Sequence, residues 1–239
     1  KLFQKYDMSV IPVVDETDHL LGAITVDDIV DVVVEEATED IYKLSGTSSQ
    51  TKHNPLSISI PKTILYRIPW LIIAIFGGVI ASEIINSYST KFNSSLFPIA
   101  LSLSFIPLIM GISGNVGNQS SAIIVRGLAT GTIKESKTWS ILFHELYVSL
   151  CIGSIISSLL LVINLFVYNY SITFSAIVSV SLLGNIIVAA IVGSILPLFF
   201  NKINIDPAIA SAPFISTTLD IICQLIYFAI TLYVIQIII

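Results

Sequence analysis

The sequence predicts an α-helical polytopic membrane protein with five transmembrane helices per subunit, preceded by a small α/β unit and a long connecting helix. Of its 239 residues, 54% are hydrophobic and 11% are charged, and the mean hydropathy is +0.91. Soluble domains carry roughly one quarter charged residues. Residues 1–45 hold eleven acidic and three basic residues, whereas the rest has a small basic excess. An acidic aqueous part followed by a lipid-embedded part accounts for this distribution.

Several function classes are disfavoured by composition. An acidic surface repels phosphate backbones, so small cations are expected partners and nucleic acid is not. Cys151 and Cys223 both lie in apolar runs, and no Cys/His cluster has the spacing of a zinc site. No paired nucleophile and base, Walker loop or haem site is visible, so we do not expect an enzyme. Lys1 is not followed by a basic and apolar leader, which predicts no signal peptide and a beginning within a longer chain.

The N-terminal segment is predicted to form a strand, a turn, a second strand and a helix, in that order. Apolar residues dominate 10–15 and 20–25, with a polar turn between them, and an amphipathic helix follows from Val26. Thr25 has the chemistry of an N-cap, and Asp28 lies in the first turn, where a helix favours negative charge.

This helix is predicted to continue into a connecting segment that leads to the first span. Glu35, Glu36, Glu39 and Asp40 recur at spacings of three and four residues and therefore share one face. Two interpretations stay open: a solvated acidic face, or a surface that binds a divalent cation. Oxygen ligands without Cys or His suit Mg²⁺ or Ca²⁺.

Five apolar runs are each long enough to cross a hydrocarbon core, which needs about 20 helical residues. They cover Pro69–Tyr88, Leu96–Ile124, Trp139–Tyr168, Ile172–Phe200 and Phe214–Ile239. Continuous runs of this length exclude a barrel of short alternating strands. Two ladders of small residues indicate close helix packing. They are Ala74, Gly78 and Ser82 in the first run, and Ala189 and Gly193 in the fourth.

Basic residues predict the orientation, because lysines and arginines near span ends stay cytoplasmic. Seven of them fall on one side of the predicted spans: Lys52, Lys62, Arg67, Arg126, Lys134, Lys137 and Lys202. Lys91 falls on the other side. The N-terminus is therefore predicted to be cytoplasmic and the C-terminus external, in a multi-pass protein of the plasma or inner membrane.

Asp220 is the most informative residue, because it lies inside the fifth apolar run. An ionised carboxylate there is costly unless it meets water, a cation or a partner. Ser216 and Thr217 lie about one turn before it and Gln224 one turn after, so a polar stripe is predicted along the helix. We interpret the stripe as a pore wall; the alternative is a protonated Asp220 that is hydrogen-bonded to a neighbouring helix.

The second run carries another polar group, in the segment MGISGNVGNQSSAIIVRGLATG. Gly111, Gly114 and Gly117 are predicted to break the helix there, although helix packing by the glycines is an alternative. The side chains that follow offer neutral oxygen ligands, from Asn115, Asn118, Gln119, Ser120 and Ser121. Few oxygens and one carboxylate per chain suit Mg²⁺, which keeps most of its water.

Three further polar residues have simpler interpretations. Glu145 and His144 follow Trp139 near the cytoplasmic end of the third run, so exposure at the membrane interface is expected for both. Asp206 precedes Pro207 before the fifth run, which favours a turn or an N-cap over cation capture.

Together these segments resemble known families. VIPVVDETDHLLGAITVDDIVDVV is similar to the second half of a CBS motif, in which Gly22, Thr25 and Asp28 fall where an adenosine ribose is often held. Half a motif does not form a pocket, so nucleotide binding is not expected. EEATEDIYKL, SGNVGNQSSAIIVRGLATG and DPAIASAPFISTTLD resemble the MgtE magnesium channels and transporters.

The MgtE resemblance implies a domain organisation and a mechanism. It implies half a CBS motif over residues 1–34, a connecting "plug" helix over 35–66, and a five-helix pore domain over 67–239. It also implies a homodimer with a pore at the subunit interface, Mg²⁺ entry, and closure at high cytoplasmic Mg²⁺.

The resemblance also implies roles for individual residues. Asp220 falls at the pore aspartate, with Asn115 and Asn118 in the polar motif beside it. Seven acidic residues resemble Mg²⁺-sensing positions: Asp7, Asp27, Asp28, Asp31, Glu36, Glu39 and Asp40. The chain departs from the family where Ala212 replaces a frequent Asn and Ser89 an acidic residue, and where the usual N-terminal helical domain and first CBS motif are absent.

Two other functions stay open. An ion-coupled secondary carrier of Mg²⁺, Mn²⁺ or Co²⁺ would be expected to show inverted repeats with matching helix breaks. A CBS-regulated membrane scaffold would transport no ion. Such a scaffold would not need a carboxylate at Asp220, whose placement inside a membrane span is energetically unfavourable.

Overall fold

The structure is a computed structural model that describes residues 2–47, 59–89, 99–133, 138–210 and 212–238. Four of the basic residues that predict the orientation, and the predicted start of the second span, lie outside these ranges. They are Lys52, Lys91, Lys134, Lys137 and Leu96. The orientation of the termini therefore stays a prediction.

The N-terminal unit contains a β-hairpin followed by a helix, as the sequence predicts. Helix α1 (Leu2–Tyr6) precedes strands β1 (Val10–Val14) and β2 (Leu20–Thr25), which pair antiparallel, and α2 covers Val26–Leu44. Thr25 caps α2, because its hydroxyl accepts the Asp28 amide at 3.5 Å and the Asp28 carboxylate accepts the Thr25 amide at 3.1 Å. Leu20 and Leu21 of β2 are exposed, so this unit carries an apolar surface that no described residue covers.

Helix α2 ends well before the first membrane span. Ser45 follows its last residue, and Gly46 adopts a left-handed backbone with a φ of +70°. Gly46 is buried against the Pro213 ring, which a Cβ at this position would strike. The helix predicted over 35–66 is thus interrupted after Leu44. The proposed domain boundaries stay a prediction, and residues 48–58 lie outside the described ranges.

Five helical spans confirm the predicted membrane architecture. Each is long and apolar enough to cross a bilayer. They are α3 (Ile60–Ser89), α4 with α5 (Ile99–Ser104 and Ile106–Thr130), α6 (Thr138–Phe166), α7 (Ile172–Lys202) and α8 (Ala212–Ile238). A short 3₁₀ turn, Pro207–Ile209, precedes α8.

Helix α7 lies at the centre of the bundle. It packs against α5, α6 and α8, and α3 packs against the outer side of α8. One buried cluster joins α5, α6, α7 and α8 around Ile109, Leu182 and Phe228. A second surrounds Ile215 and Leu219 near the start of α8. These contacts hold α8 between three other helices.

The predicted break at the glycines of the second span is wrong. Helix α5 runs without interruption through Gly111, Gly114 and Gly117, and the chain turns instead at Phe105, between α4 and α5. A Cβ at Gly117 would strike Leu219 and lie 3.2 Å from the Ala189 carbonyl oxygen. Gly117 therefore serves helix packing, whereas a Cβ at Gly111 would have no neighbour within 4 Å. The uninterrupted helix also satisfies its own backbone in lipid.

The packing predicted for the two ladders of small residues is found in α7 but not in α3. Gly193 of α7 packs directly on the backbone of Gly117, as the sequence predicts for a close helix contact. In α3 the buried small residues are Gly77 and Ala81, whereas a Cβ at Gly78 would have no neighbour within 4 Å. The first span thus packs through a different face of the helix from the one that the sequence predicts.

Candidate functional site

Asp220 lies on α8 about 12 Å from the start of the helix, given a rise of 1.5 Å per residue. Its side chain is half-buried. Within the described ranges, no hydrogen bond or salt bridge reaches its carboxylate. No described residue, of the neighbouring helix α5 or elsewhere, therefore pairs directly with the Asp220 charge.

Two of the predicted site residues meet one turn before Asp220. The Asn118 side-chain amide of α5 donates a hydrogen bond to the Ser216 hydroxyl of α8 at 3.2 Å. Gly114 lies beside this contact, where a Cβ would be 3.7 Å from the Ser216 hydroxyl, an ordinary van der Waals distance. The Asn118 carbonyl oxygen is buried and has no hydrogen-bond partner in the described part of the chain.

The other predicted pore residues lie apart from this contact. Asn115 is exposed one turn earlier on α5, and no described side chain is hydrogen-bonded to it. Thr217 faces α3, where its methyl group occupies the space beside Gly77. Gln224 is buried and its amide donates to the Met110 sulfur at 3.3 Å. The polar stripe therefore consists of Ser216, Asp220 and Gln224.

The predicted regulatory carboxylates are spread along the N-terminal unit. Asp7, Asp27, Asp28, Asp31 and Glu36 are exposed, and Glu39 and Asp40 are half-buried. A hydrogen bond from the Thr25 hydroxyl, and then one from the Thr25 amide, lowers the pKa of Asp28 below its usual value. Among the described residues, no three His, Cys, Asp or Glu side chains are grouped so that they could hold a metal ion.

An ion-pair cluster joins the end of α2 to the entrance of α8. The Lys43 ammonium lies 2.5 Å from a Glu39 oxygen and 2.5 Å from an Asp206 oxygen. The other Asp206 oxygen accepts the Ala208 amide at 2.9 Å, which confirms the predicted N-cap. Burial alone would lower the pKa of Lys43, but hydrogen bonds to Asp206 and Glu39 outweigh it and raise that pKa.

Asp40 stands beside this cluster, in a cleft of about 1000 Å³ between α2, the end of α5 and Asp206. Burial, and then the nearby Asp206 carboxylate, raise the pKa of Asp40 above its usual value. Arg126 lines the opposite wall. The cleft thus holds the three carboxylates of Glu36, Asp40 and Asp206, whose negative charges repel one another, and Lys43 and Arg126 are the cations that line it.

Sequence reasoning missed two of these features. Lys43 and Asp206 are 163 residues apart, and only the position of Lys43 in the last turn of a helix suggested a role for its charge. The expected interfacial exposure of Glu145 is wrong, because its side chain is only 9% exposed and accepts a hydrogen bond from Ser120 at 2.8 Å. His144, its neighbour, is exposed as predicted.

Five apolar helices, one of which carries the half-buried Asp220 carboxylate, define a polytopic membrane protein with an ionisable group inside its spans. Residues 106–230 match the sequence model of the MgtE family, described as a divalent cation transporter. The chain belongs to the MgtE family.

Three curated relatives, each called magnesium transporter MgtE, extend this likeness. The *Bacillus subtilis* protein is 35% identical over 230 residues, which cover 96% of this chain and 49% of the relative. The *Enterococcus faecalis* protein is 36% identical over 93% of this chain and 47% of the relative. The *Thermus thermophilus* protein is 34% identical over 96% of this chain and 50% of the relative. The chain thus spans about half the length of these relatives.

Proposed function

We propose that the chain forms the membrane part of a Mg²⁺-selective channel, a homodimer with its pore at the subunit interface. The observation that carries this proposal is the Asp220 carboxylate, half-buried inside α8 without an ion pair among the described residues. Such a group is costly in a membrane span unless water or a cation compensates its charge. A permeating cation supplies that compensation, and a structural role does not.

The chemistry around Asp220 suits Mg²⁺ as the transported ion. Mg²⁺ sheds water reluctantly and is usually held by one or two carboxylates while it keeps several waters. Two copies of Asp220 across a dimer axis would provide two carboxylates. The buried Asn118 oxygen, which lacks a described partner, offers a further neutral acceptor for a hydrated ion. The relatives' name, magnesium transporter, supports the same cargo.

Flux into proteoliposomes tests this function. The purified protein should move Mg²⁺, and an imposed voltage should change the rate, as expected for a passive channel. Asp220→Asn should abolish or strongly reduce flux in a folded dimer, and Asp220→Glu should keep partial flux with altered ion preference. Thr218→Ala is the control, because among the described residues the Thr218 hydroxyl bonds only the Phe214 carbonyl of its own helix.

The alternatives give different results in the same assay. A secondary carrier would require a co-transported ion, so an imposed gradient of that ion would drive Mg²⁺ uptake against its own gradient. A scaffold would pass no divalent cation. Wild-type flux in Asp220→Asn would refute the role of Asp220 in the pore.

The acidic N-terminal unit gates the channel by binding cytoplasmic Mg²⁺. Support comes from the docking of α2 at the entrance of α8, through Lys43 with Asp206 and through Gly46 against Pro213. The acidic side chains of α2 carry like charges that repel one another, and Mg²⁺ would screen and bridge them. Oxygen-only donors fit a hard cation of this kind. Mg²⁺ binding would therefore hold α2 at the pore entrance and close it.

The test of gating uses the full-length protein. Replacing Glu36, Glu39 and Asp40 with Ala or Asn should leave flux active at Mg²⁺ concentrations that silence the parent. The same variant should lose the protection from protease that Mg²⁺ gives to the segment 35–62. If inhibition and protection are both unchanged, the acidic residues are a solvated helix face.

A further inference from the structure

Glu145 of α6 is the only buried Asp, Glu, Lys, Arg or His side chain among the described residues. It lies about 10 Å into the helix that begins at Thr138, and it is 7% exposed. One carboxylate oxygen accepts the Ser120 hydroxyl at 2.8 Å. The other lies 3.8 Å from the ring of His144, whose side chain is 74% exposed. The pore function proposed above assigns no role to Glu145.

Stability alone does not account for Glu145. Taking a carboxylate out of water costs much more than one hydrogen bond from a neutral hydroxyl returns. An apolar side chain of similar size at this position would pack against α5 without that penalty. An ionisable residue inside a membrane span is by default a candidate for function, together with its partner. The partner here is Ser120.

Ser120 belongs to a single turn of α5 that is bonded to three different elements. Asn118 donates to Ser216 of α8, Ser120 donates to Glu145 of α6, and Ser121 donates to the Ala210 carbonyl before α8 at 3.3 Å. Successive residues of a helix point about 100° apart, so three such bonds fix the rotation of α5 about its own axis. The Glu145 bond is the charged one of the three, and charge-assisted hydrogen bonds are the strong ones.

We propose that Glu145 is a positioning residue which, through Ser120, holds the Asn118 amide against Ser216 beside Asp220 and thereby sets the discrimination between divalent cations. This inference rests on the proposed transport function. Glu145 touches no ion. Glu145 acts on the pore through the rotation of α5. Ser120 and Asn118 lie in the same helical turn, so a displacement of Ser120 also displaces Asn118.

Ion preference distinguishes positioning from a purely structural role. Glu145→Leu and Ser120→Ala should each change the Mg²⁺ to Mn²⁺ flux ratio about tenfold, the effect of losing one hydrogen bond to a charged group. The double variant should go no further, since both changes remove one interaction. Glu145→Gln keeps an acceptor but loses the charge, so it should change the ratio less than Glu145→Leu does. Ser149→Ala is the control, because the only described partner of the buried Ser149 hydroxyl is the Leu146 carbonyl of α6.

A cross-link measures the positioning without any flux. Asn118→Cys with Ser216→Cys, in a background without the two native cysteines, should form a disulfide in membranes. Glu145→Leu should lower its yield, and Ser149→Ala should not. An unchanged yield overturns the positioning role. A lowered yield with an unchanged ion ratio overturns the link to selectivity. If the parent moves no divalent cation, the proposed transport function fails, and the cross-link still decides the role of Glu145.

Discussion

Gly193→Ala tests whether backbone contact between α7 and α5 determines the packing of the bundle. A Cβ added at Gly193 would lie 2.9 Å from both the Cα and the carbonyl carbon of Gly117, and closer still to the Gly117 carbonyl oxygen. These are backbone atoms, which cannot rotate away as a side chain can. The helices must therefore separate.

The magnitude follows from these distances. Carbon atoms pack at roughly 3.5–4.0 Å, so α5 and α7 must move apart by roughly 1 Å. Overpacking of this kind costs about 1–3 kcal/mol, and the rigid neighbour places Gly193→Ala at the upper end. The higher helix propensity of alanine relative to glycine stabilises the folded protein by about 1 kcal/mol. The net destabilisation is about 2 kcal/mol, which lowers the thermal midpoint by about 4–8 °C in a chain of this size.

Thermal unfolding in detergent measures this effect, and the same helix supplies its control. A Cβ at Gly184 of α7 would meet only Ile230 at 3.8 Å and Ile226 at 4.0 Å, which is ordinary contact. Gly184→Ala should therefore be neutral or stabilising. The reasoning fails if Gly193→Ala is as stable as Gly184→Ala, because both gain the same helix propensity and differ only in their neighbours.

Three further predictions concern the pore contact and the junction of α2 with α8. Ser216→Ala removes the acceptor of the Asn118 amide, so Mg²⁺ flux should fall about fivefold while the thermal midpoint stays nearly constant; an unchanged flux would contradict the contact's role. Lys43→Met removes both ion pairs of the junction, so protease should cleave α2 faster without Mg²⁺, whereas Lys43→Arg should keep the parent rate. The raised pKa of Asp40 means that docked α2 binds a proton more readily than free α2. In metal-free buffer, the parent should be protected as well as Asp40→Asn below the usual value of 3.8, and progressively less well than Asp40→Asn as the pH rises through the raised pKa.

The membrane architecture could be predicted because span length and apolarity are local properties. The fourth predicted span begins at Ile172, as α7 does, and the third begins within one residue of α6. No long-range contact is needed to recognise such runs, since the bilayer itself sets their length. The β-hairpin was also predictable, because two apolar strands flank a short polar turn.

Errors arose where a residue's neighbours decide its role. The glycines of α5 have the composition of a helix break, but Gly117 faces Gly193 and permits close approach. Glu145 has the position of an interfacial residue, but it turns inward to Ser120. The end of α2 did carry a local signal: Gly46 follows Lys43 by three residues, as expected of a helix C-terminus.

One helix connects the two parts of the proposed mechanism. Pro213, which contacts Gly46 at the end of α2, and Asp220 lie on the same uninterrupted helix, about 10 Å apart along its axis. A helix of two turns is too short to absorb a displacement by bending, and α8 is held between three neighbours. A shift of α2 at Pro213 would therefore reach Asp220 as a movement of the whole helix. Because coupling is reciprocal, an ion at Asp220 would also change how firmly α2 docks.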